Sequence, residues 1–141
     1  MNWQLLAATS HYQTAVAVGQ ALEQGDTSQA REGIQELVDA LSRAEKRALR
    51  SQLIRLMAHI IKWKTQPEKR SRSWRQTIRN ARDEIAESQE DTPSLTRDVI
   101  EAMWQKCFAR AKADAEDEMG QESPVTKLTW KEVFDKEYKV E

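Results

Sequence analysis

The stretch Arg43–Lys64, RAEKRALRSQLIRLMAHIIKWK, indicates most directly which kind of fold the chain adopts. Its large apolar side chains recur three or four residues apart, which is the spacing of one face of an α-helix. They are Leu49, Leu53, Leu56, Ile60 and Trp63, and Met57 and Ile61 widen the same face. The pattern therefore predicts a long helix that carries most of a hydrophobic core.

The sequence on both sides of this stretch has helical spacing as well, interrupted by start and stop signals. Capping-box patterns, in which a Ser or Thr precedes a Glu or Gln by three residues, begin at Ser42, Ser73 and Thr129. Thr92-Pro93 resembles a cap followed by proline at the first helical position, and Gly120 resembles a helix stop. We expect an all-α fold, a single bundle of five or six helices forming one domain over residues 1–141. The predicted helices are Tyr12–Gln24, Ser28–Leu41, Arg43–Lys64, Trp74–Ser88, Pro93–Met119 and Trp130–Tyr138.

The composition agrees with one helical domain and excludes several other classes. The chain has 141 residues, 39% of them apolar, and only four Gly and three Pro, too few for the many tight turns of an all-β fold. The lone Cys107 excludes a disulfide framework. No apolar run reaches the roughly 18 residues of a membrane span, and no signal peptide is recognisable. We expect a cytoplasmic protein without a membrane partner.

Charge is unevenly distributed along the chain, although the formal net charge is −1. Residues 1–42 carry one basic and five acidic side chains, and residues 83–141 carry eight basic and sixteen acidic ones. Between them, residues 43–82 carry thirteen basic side chains and only two acidic ones. Such a segment either faces a polyanion or packs between acidic segments of the same chain.

The arginines after the long helix are the residues on which the choice between a polyanion and internal carboxylates depends. Arg72, Arg75, Arg79 and Arg82 recur at intervals of three, four and three, which places them along one side of a helix. Such a stripe can contact a phosphate backbone while Trp63 or Trp74 stacks on a base. Alternatively, Trp74 and Ile78 fill the core while the arginines pair with carboxylates of the chain, namely Asp114, Glu116, Asp117, Glu118, Glu36 or Asp39. The candidate binding residues are Lys62, Trp63, Arg70, Arg72, Trp74, Arg75, Arg79 and Arg82.

A structural role for the two tryptophans is the simplest interpretation. Gln66-Pro67 ends the long helix, because proline prevents normal helical hydrogen bonding there. If Trp63 and Trp74 meet across this corner, they fix the angle between two helices.

The central block also resembles a known family. HIIKWKTQP at residues 59–67, followed by RSRSWRQTIR at residues 70–79, is similar to the signature of the bacterial domain of unknown function 29. RALRS at residues 47–51 and TPSL at residues 92–95 resemble further segments of that family. The resemblance runs from about Tyr12 to Tyr138. The chain departs from the family at Leu37, where a glutamate is typical, and at Ser123–Val125, where a longer segment is typical. The resemblance implies an all-helical bacterial domain and no particular activity.

No pattern of a known catalytic or metal site is present. His59 shares a helix face with Trp63, and the only other histidine is His11, so neither belongs to an H-E-x-x-H motif. Cys107 follows Met103 on an apolar stripe, as a buried thiol does. Nucleophile-elbow, P-loop and dinucleotide-binding patterns are missing. We therefore predict no catalytic residue, no metal and no cofactor. A hydrolase or nuclease built around His59 would require a concave pocket with carboxylates beside it.

Two functions remain in competition on the sequence. The favoured one is a non-enzymatic, regulatory or interaction module that binds a protein partner. The alternative is a nucleic-acid-binding protein that uses the basic surface of residues 43–82. The direction of Arg72, Arg75 and Arg79 discriminates between them. The identity of the partner and the oligomeric state are left open.

Overall fold

The computed structural model describes residues 1–140, and over these residues the chain is helical without any β-strand. The predicted all-α class with five or six helices is confirmed. The α-helices are α1 (Trp3–Thr9), α2 (His11–Glu23), α3 (Thr27–Thr65), α4 (Arg72–Asp91) and α5 (Arg97–Met119). A 3₁₀ turn, Pro67–Lys69, follows α3, and one turn of π-helix, Lys131–Asp135, lies where the last helix was predicted.

Several predicted boundaries were wrong, and α3 is the largest case. It runs without interruption through Ser42, where a capping box had indicated a new helix. Ser-x-x-Glu is also compatible with a helix interior, and the residues around it are mostly good helix formers without Gly or Pro, so the backbone bonding continues. Helix α5 begins at Arg97 rather than Pro93, since residues 92–96 form a turn in which Leu95 N–H bonds to Thr92 O at 2.9 Å.

The remaining helix signals agree with the structure at the same residue or to within two residues. Ser71, rather than Ser73, caps α4, because its hydroxyl accepts a hydrogen bond from Trp74 N–H at 3.2 Å. The capping box of Thr129 and Glu132 is confirmed in both directions, at 3.0 and 3.2 Å. Gly120 ends α5 with a φ of 67°, a conformation that favours glycine. Helix α1 was not predicted.

By its contacts the chain divides into two compact units, Met1–Arg47 and Ala48–Glu141. The N-terminal unit has a small core of Trp3, Ala17, Val18, Ala21 and Ala30, against which Leu6 packs. Trp3 Nε1–H donates to Gln29 Oε1 at 2.8 Å, so the indole is anchored at both its apolar and its polar end. The expectation of one domain over residues 1–141 stays a prediction.

The C-terminal unit has a larger core made of long apolar side chains. Leu53, Leu56, Met57, Ile60 and Ile61 of α3 are completely buried, as their helical spacing predicted. Around them pack residues of α4, α5 and the C-terminal segment, including Ile78, Ile85, Ile100, Cys107 and Val133. Full burial of such side chains stabilises a fold by about 1.5–3 kcal/mol each.

Candidate anion-binding surface

The structure places three of the four predicted arginines of α4 on its exposed side. Ile78, Ala81 and Ile85 form the buried face of this helix. Arg72, Arg75 and Arg79 lie on the exposed part and are called the α4 arginine stripe below. At 1.5 Å per residue, successive members are about 4.5 and 6 Å apart along the helix axis.

None of these three arginines forms an ion pair within residues 1–140. Three of the four α5 carboxylates that were considered as their partners have other contacts. Asp114 binds Arg110 at 3.1 Å, Glu118 binds Lys62, and Glu116 accepts a hydrogen bond from Ser123 N–H at 2.7 Å. The alternative in which the stripe pairs with carboxylates of α5 is therefore wrong.

The position of the stripe at the start of α4 strengthens its positive potential. The first turn of α4 contains Arg72 and Arg75 and no acidic residue. Since the N-terminal end of a helix carries a partial positive charge, cations there add to the dipole instead of compensating for it. The surface thus carries positive charge that is not held in any ion pair within residues 1–140.

The other candidates have contacts inside the unit. Lys62, Trp63 and Arg70 precede α4, and Trp74 lies in its first turn. Buried Lys62 forms an ion pair with Glu118, and its Nζ lies 5.8 Å from the centre of the Trp74 ring. Arg70 donates from Nε to the carbonyl oxygen of Trp63 at 2.8 Å and covers the Trp63 ring at 5.2 Å. The partner of the Trp63 ring is Tyr138, edge-on at 5.6 Å, rather than Trp74. These residues fix the corner between α3 and α4.

Arg82, the last arginine of the predicted row, is also a framework residue. Its guanidinium donates to the carbonyl oxygens of Val133 and Glu132 at 2.7 and 3.2 Å and lies 5.5 Å from the centre of the Tyr138 ring. Burial lowers the pKa of Arg82 from its usual value, although the group stays charged. The same burial raises the pKa of Tyr138 to about 12. The spacing in the sequence groups Arg82 with the stripe, and the sequence contains no signal for its contacts with the C-terminal segment.

A shallow cavity of about 330 Å³ adjoins the stripe. Arg75, Arg79 and Lys139 supply cationic lining, and Asp83 and Glu137 supply carboxylates. Because the carboxylates lie at the cavity and the exposed arginines extend past it toward Arg72, the open stripe is the more suitable surface for an extended anion.

A second cavity, of about 410 Å³, lies beside His59. Asp114 and Glu118 line it, which meets the geometric condition for a catalytic histidine, but both carboxylates are already paired with basic side chains. His59 Nδ1 donates to Arg55 O at 3.0 Å, and burial lowers the pKa of this imidazole, which favours its neutral form. This contact is that of a structural histidine.

Cys107 and the acidic residues supply no further chemical site in the described part of the chain. Cys107 is buried, and burial raises the pKa of its thiol, so the reactive thiolate is disfavoured. No group of three or more His, Cys, Asp or Glu side chains within residues 1–140 is arranged to hold a metal ion. Likewise, none of the helices described is both long and apolar enough to span a membrane.

Fold and surface together define a small all-helical protein with a basic stripe on one helix that forms no ion pair within residues 1–140. The chain belongs to the family described as domain of unknown function DUF29, whose model matches residues 11–139. This confirms the resemblance seen in the central block. No curated protein and no solved structure matches the chain.

Proposed function

We propose that the protein is a non-enzymatic binding module whose α4 arginine stripe contacts the phosphate groups of a nucleic acid. The observation that carries the proposal is the contrast among the basic residues of one segment. Lys62, Arg70 and Arg82 have carboxylate, carbonyl or aromatic partners, whereas Arg72, Arg75 and Arg79 are exposed without an ion pair in the described part of the chain.

The spacing of the stripe suits a phosphate backbone. Its three cations extend over about 10 Å of helix axis, a distance over which one strand of duplex DNA presents about three phosphates. Each arginine that neutralises a phosphate releases condensed counterions, which favours binding at low salt. Arginine also bonds phosphate oxygens with two parallel N–H groups.

The tryptophans support a backbone contact rather than base recognition. Trp63 is 4% exposed, and half-buried Trp74 has Lys62 above its ring. Neither ring is therefore free to stack on a base. Without stacking, the stripe has no preference for single strands, so we propose a double-stranded target bound without sequence specificity.

The test is fluorescence anisotropy of a labelled duplex of about 20 base pairs at about 50 and about 200 mM salt. Three phosphate contacts predict a slope of about −2.7 in log K against log salt, which corresponds to about 40-fold weaker binding at the higher concentration. Each Arg→Gln substitution in the stripe is expected to reduce the slope by about 0.9.

A matched control removes the same number of charges elsewhere. Lys106, Lys127 and Lys131 are exposed, and their triple substitution by Gln changes the net charge as much as neutralising the stripe does. We expect the control to bind like the wild type and the stripe variant to lose binding. Equal loss in both variants, or no binding at the lower salt concentration, would contradict the proposal.

A protein partner is the second proposed function, and a different region supports it. The N-terminal unit exposes the large apolar side chains Met1, Leu5, Tyr12, Val16, Leu22, Ile34, Val38 and Leu41. Ile34, Val38 and Leu41 share one side of α3, and a contiguous exposed apolar patch is typical of interaction sites. The test compares proteins captured from an extract of the native host by the wild type and by Val38→Glu. A partner lost from the variant supports a protein-binding role, and identical capture by both contradicts it.

A further inference from the structure

One helix face in the N-terminal unit combines apolar and charged residues in an unusually regular order. Ile34, Val38 and Leu41 of α3 follow one another at intervals of four and three, and they are 48%, 54% and 40% exposed. Three residues before Ile34 lies Arg31, and four residues after Leu41 lies Glu45. These intervals place all five on one side of the helix, which we call the α3 stripe.

The charges at the two ends of the α3 stripe have opposite signs and equal distances from its centre. Arg31 precedes Val38 by seven residues and Glu45 follows it by seven, about 10 Å in each direction. Both are exposed, and neither forms an ion pair within residues 1–140. The stripe is therefore complementary to itself when it is turned end for end.

We propose that the α3 stripe binds a second copy of this chain, with the two α3 helices antiparallel about a two-fold axis at Val38. In this arrangement Arg31 of each copy faces Glu45 of the other, which gives two attractive pairs. Ile34 of one copy lies within about 1.5 Å of the level of Leu41 of the other, so the apolar residues contact apolar residues. A parallel arrangement would place Arg31 against Arg31 and Glu45 against Glu45.

The size of the stripe limits the affinity. Residues 31–45 span about 21 Å of helix. Because each copy contributes only three apolar side chains, the area buried per partner is smaller than in a stable complex, where it is about 800 Å². We expect a dissociation constant on the order of 10–100 μM. The inference rests on the second proposed function, a protein-binding N-terminal unit, and is independent of nucleic-acid binding.

The experiment is sedimentation equilibrium of the full chain from about 1 to about 500 μM, a range that brackets the expected constant. Arg31→Glu and Glu45→Arg should each weaken self-association about tenfold, because each turns two attractive pairs into two repulsive ones. An equimolar mixture of the two variants should associate like the wild type. In the mixed dimer the new glutamate of one variant faces the new arginine of the other, and the unchanged Glu45 and Arg31 also face each other. The double variant should associate like the wild type as well.

Two controls separate this arrangement from general charge effects and from unfolding. Glu32→Arg and Arg43→Glu reverse exposed charges on another face of α3 and should leave self-association unchanged. Circular dichroism verifies the helix content of every variant. Val38→Glu places two carboxylates together at the axis and should abolish the dimer.

Each other outcome overturns the inference. A wild type that is monomeric at the highest concentration excludes the second copy, and a foreign partner that Val38→Glu fails to capture would then still support the second proposed function. A dimer that resists Val38→Glu uses a different surface. Single variants that associate like the wild type, or that do not recover when mixed, exclude the antiparallel arrangement.

Discussion

The two compact units of the chain use their large apolar residues in opposite ways. In the C-terminal unit, twenty buried residues form one core, and Val140 is its single exposed large apolar side chain among the described residues. In the N-terminal unit, most core residues are alanines, while eight large apolar side chains are exposed. A unit of this size buries a smaller fraction of its surface. The C-terminal unit therefore buries nearly all of its large apolar side chains within the chain, whereas the N-terminal unit leaves most of its own exposed.

Trp63→Ala should have the largest effect, because it removes a large buried side chain from the C-terminal core. The substitution leaves a cavity and deprives Tyr138 and Arg70 of their contacts with the indole ring. We expect the free energy of unfolding to fall by about 3–5 kcal/mol in urea titration. Val38→Ala in the N-terminal unit, measured at a concentration where the chain is monomeric, should change it by less than about 0.5 kcal/mol. Similar effects of the two substitutions would remove the distinction between the units.

High pH should destabilise the C-terminal unit through Tyr138. Burial raises the pKa of this phenol to about 12, from an ordinary value of 10.0 in the unfolded chain. The folded state therefore retains the proton longer, and its stabilisation, complete below pH 10, is lost between pH 10 and about 12. Two pKa units correspond to a loss of about 3 kcal/mol.

Phenylalanine substitutions at the two tyrosines isolate this effect. Tyr138→Phe should remove most of the additional loss of stability between pH 10 and 12, because no phenol then titrates inside the unit. Tyr12 in the N-terminal unit is 73% exposed, so Tyr12→Phe should leave the pH profile as it is. A profile that is unaffected by Tyr138→Phe would show that other groups cause the loss at high pH.

Gly33→Ala tests how tightly the small N-terminal core is packed. A Cβ atom at this position would lie 2.7 Å from Trp3 Cζ3 and equally close to Val18 Cγ2. Overpacking of this kind costs about 1–3 kcal/mol, which exceeds the gain of up to about 1 kcal/mol from alanine's helix propensity. We expect a net loss of about 1 kcal/mol, measured by thermal unfolding.

Gly19 is the matched control for this substitution. It also lies inside a helix, but nothing is within 4 Å of the position that its Cβ would occupy. Gly19→Ala should therefore stabilise the protein by about 0.5–1 kcal/mol. Equal signs for the two glycines would mean that Trp3 does not pack closely against α3.

Helical periodicity explains why much of the fold was predictable from the sequence. Leu53, Leu56 and Ile60 recur at helical spacing and form a buried face, so the class and the main core followed directly. Helix ends were less predictable, because a capping box is a local pattern that a continuous helix also contains, as Ser42 shows. Helix α1 has seven residues, and its signal was limited to the cap at Asn2, whose side chain accepts from Leu5 N–H at 3.0 Å.

The spacing of the arginines in the candidate site was predictable from the sequence. Which of them are exposed and which one contacts the rest of the fold was not. Arg75, Arg79 and Arg82 are equivalent in the sequence pattern, yet only Arg82 reaches the carbonyl oxygens of Val133 and Glu132, fifty residues and more away. Such a contact depends on how the C-terminal segment packs against α4. The tertiary contacts of Arg82 therefore distinguish it from the three exposed arginines, and the sequence alone does not show this difference.

The smallest expected effect concerns Arg72, and it separates a binding role from a structural one. Arg72 and Arg97 are the first residues of α4 and α5, respectively. Arg97 binds Glu101 at 2.9 Å and lies 4.1 Å from the centre of the Trp130 ring. Arg72 has no ion pair in the described part of the chain, and its charge adds to the positive end of the α4 dipole. Arg97→Gln should therefore lower the free energy of unfolding by about 0.5–1 kcal/mol.

Arg72→Gln should have the opposite sign and raise the free energy of unfolding by about 0.3–1 kcal/mol, because it removes a cation from the positive end of α4. The same variant should weaken duplex binding and reduce its salt slope by about 0.9. Urea titration and fluorescence anisotropy of the same preparations measure the two effects. A gain in stability together with a loss of binding means that Arg72 acts through a ligand outside the chain. A loss of stability would instead mean that Arg72 has a partner within the fold, and the α4 arginine stripe would lose its first member.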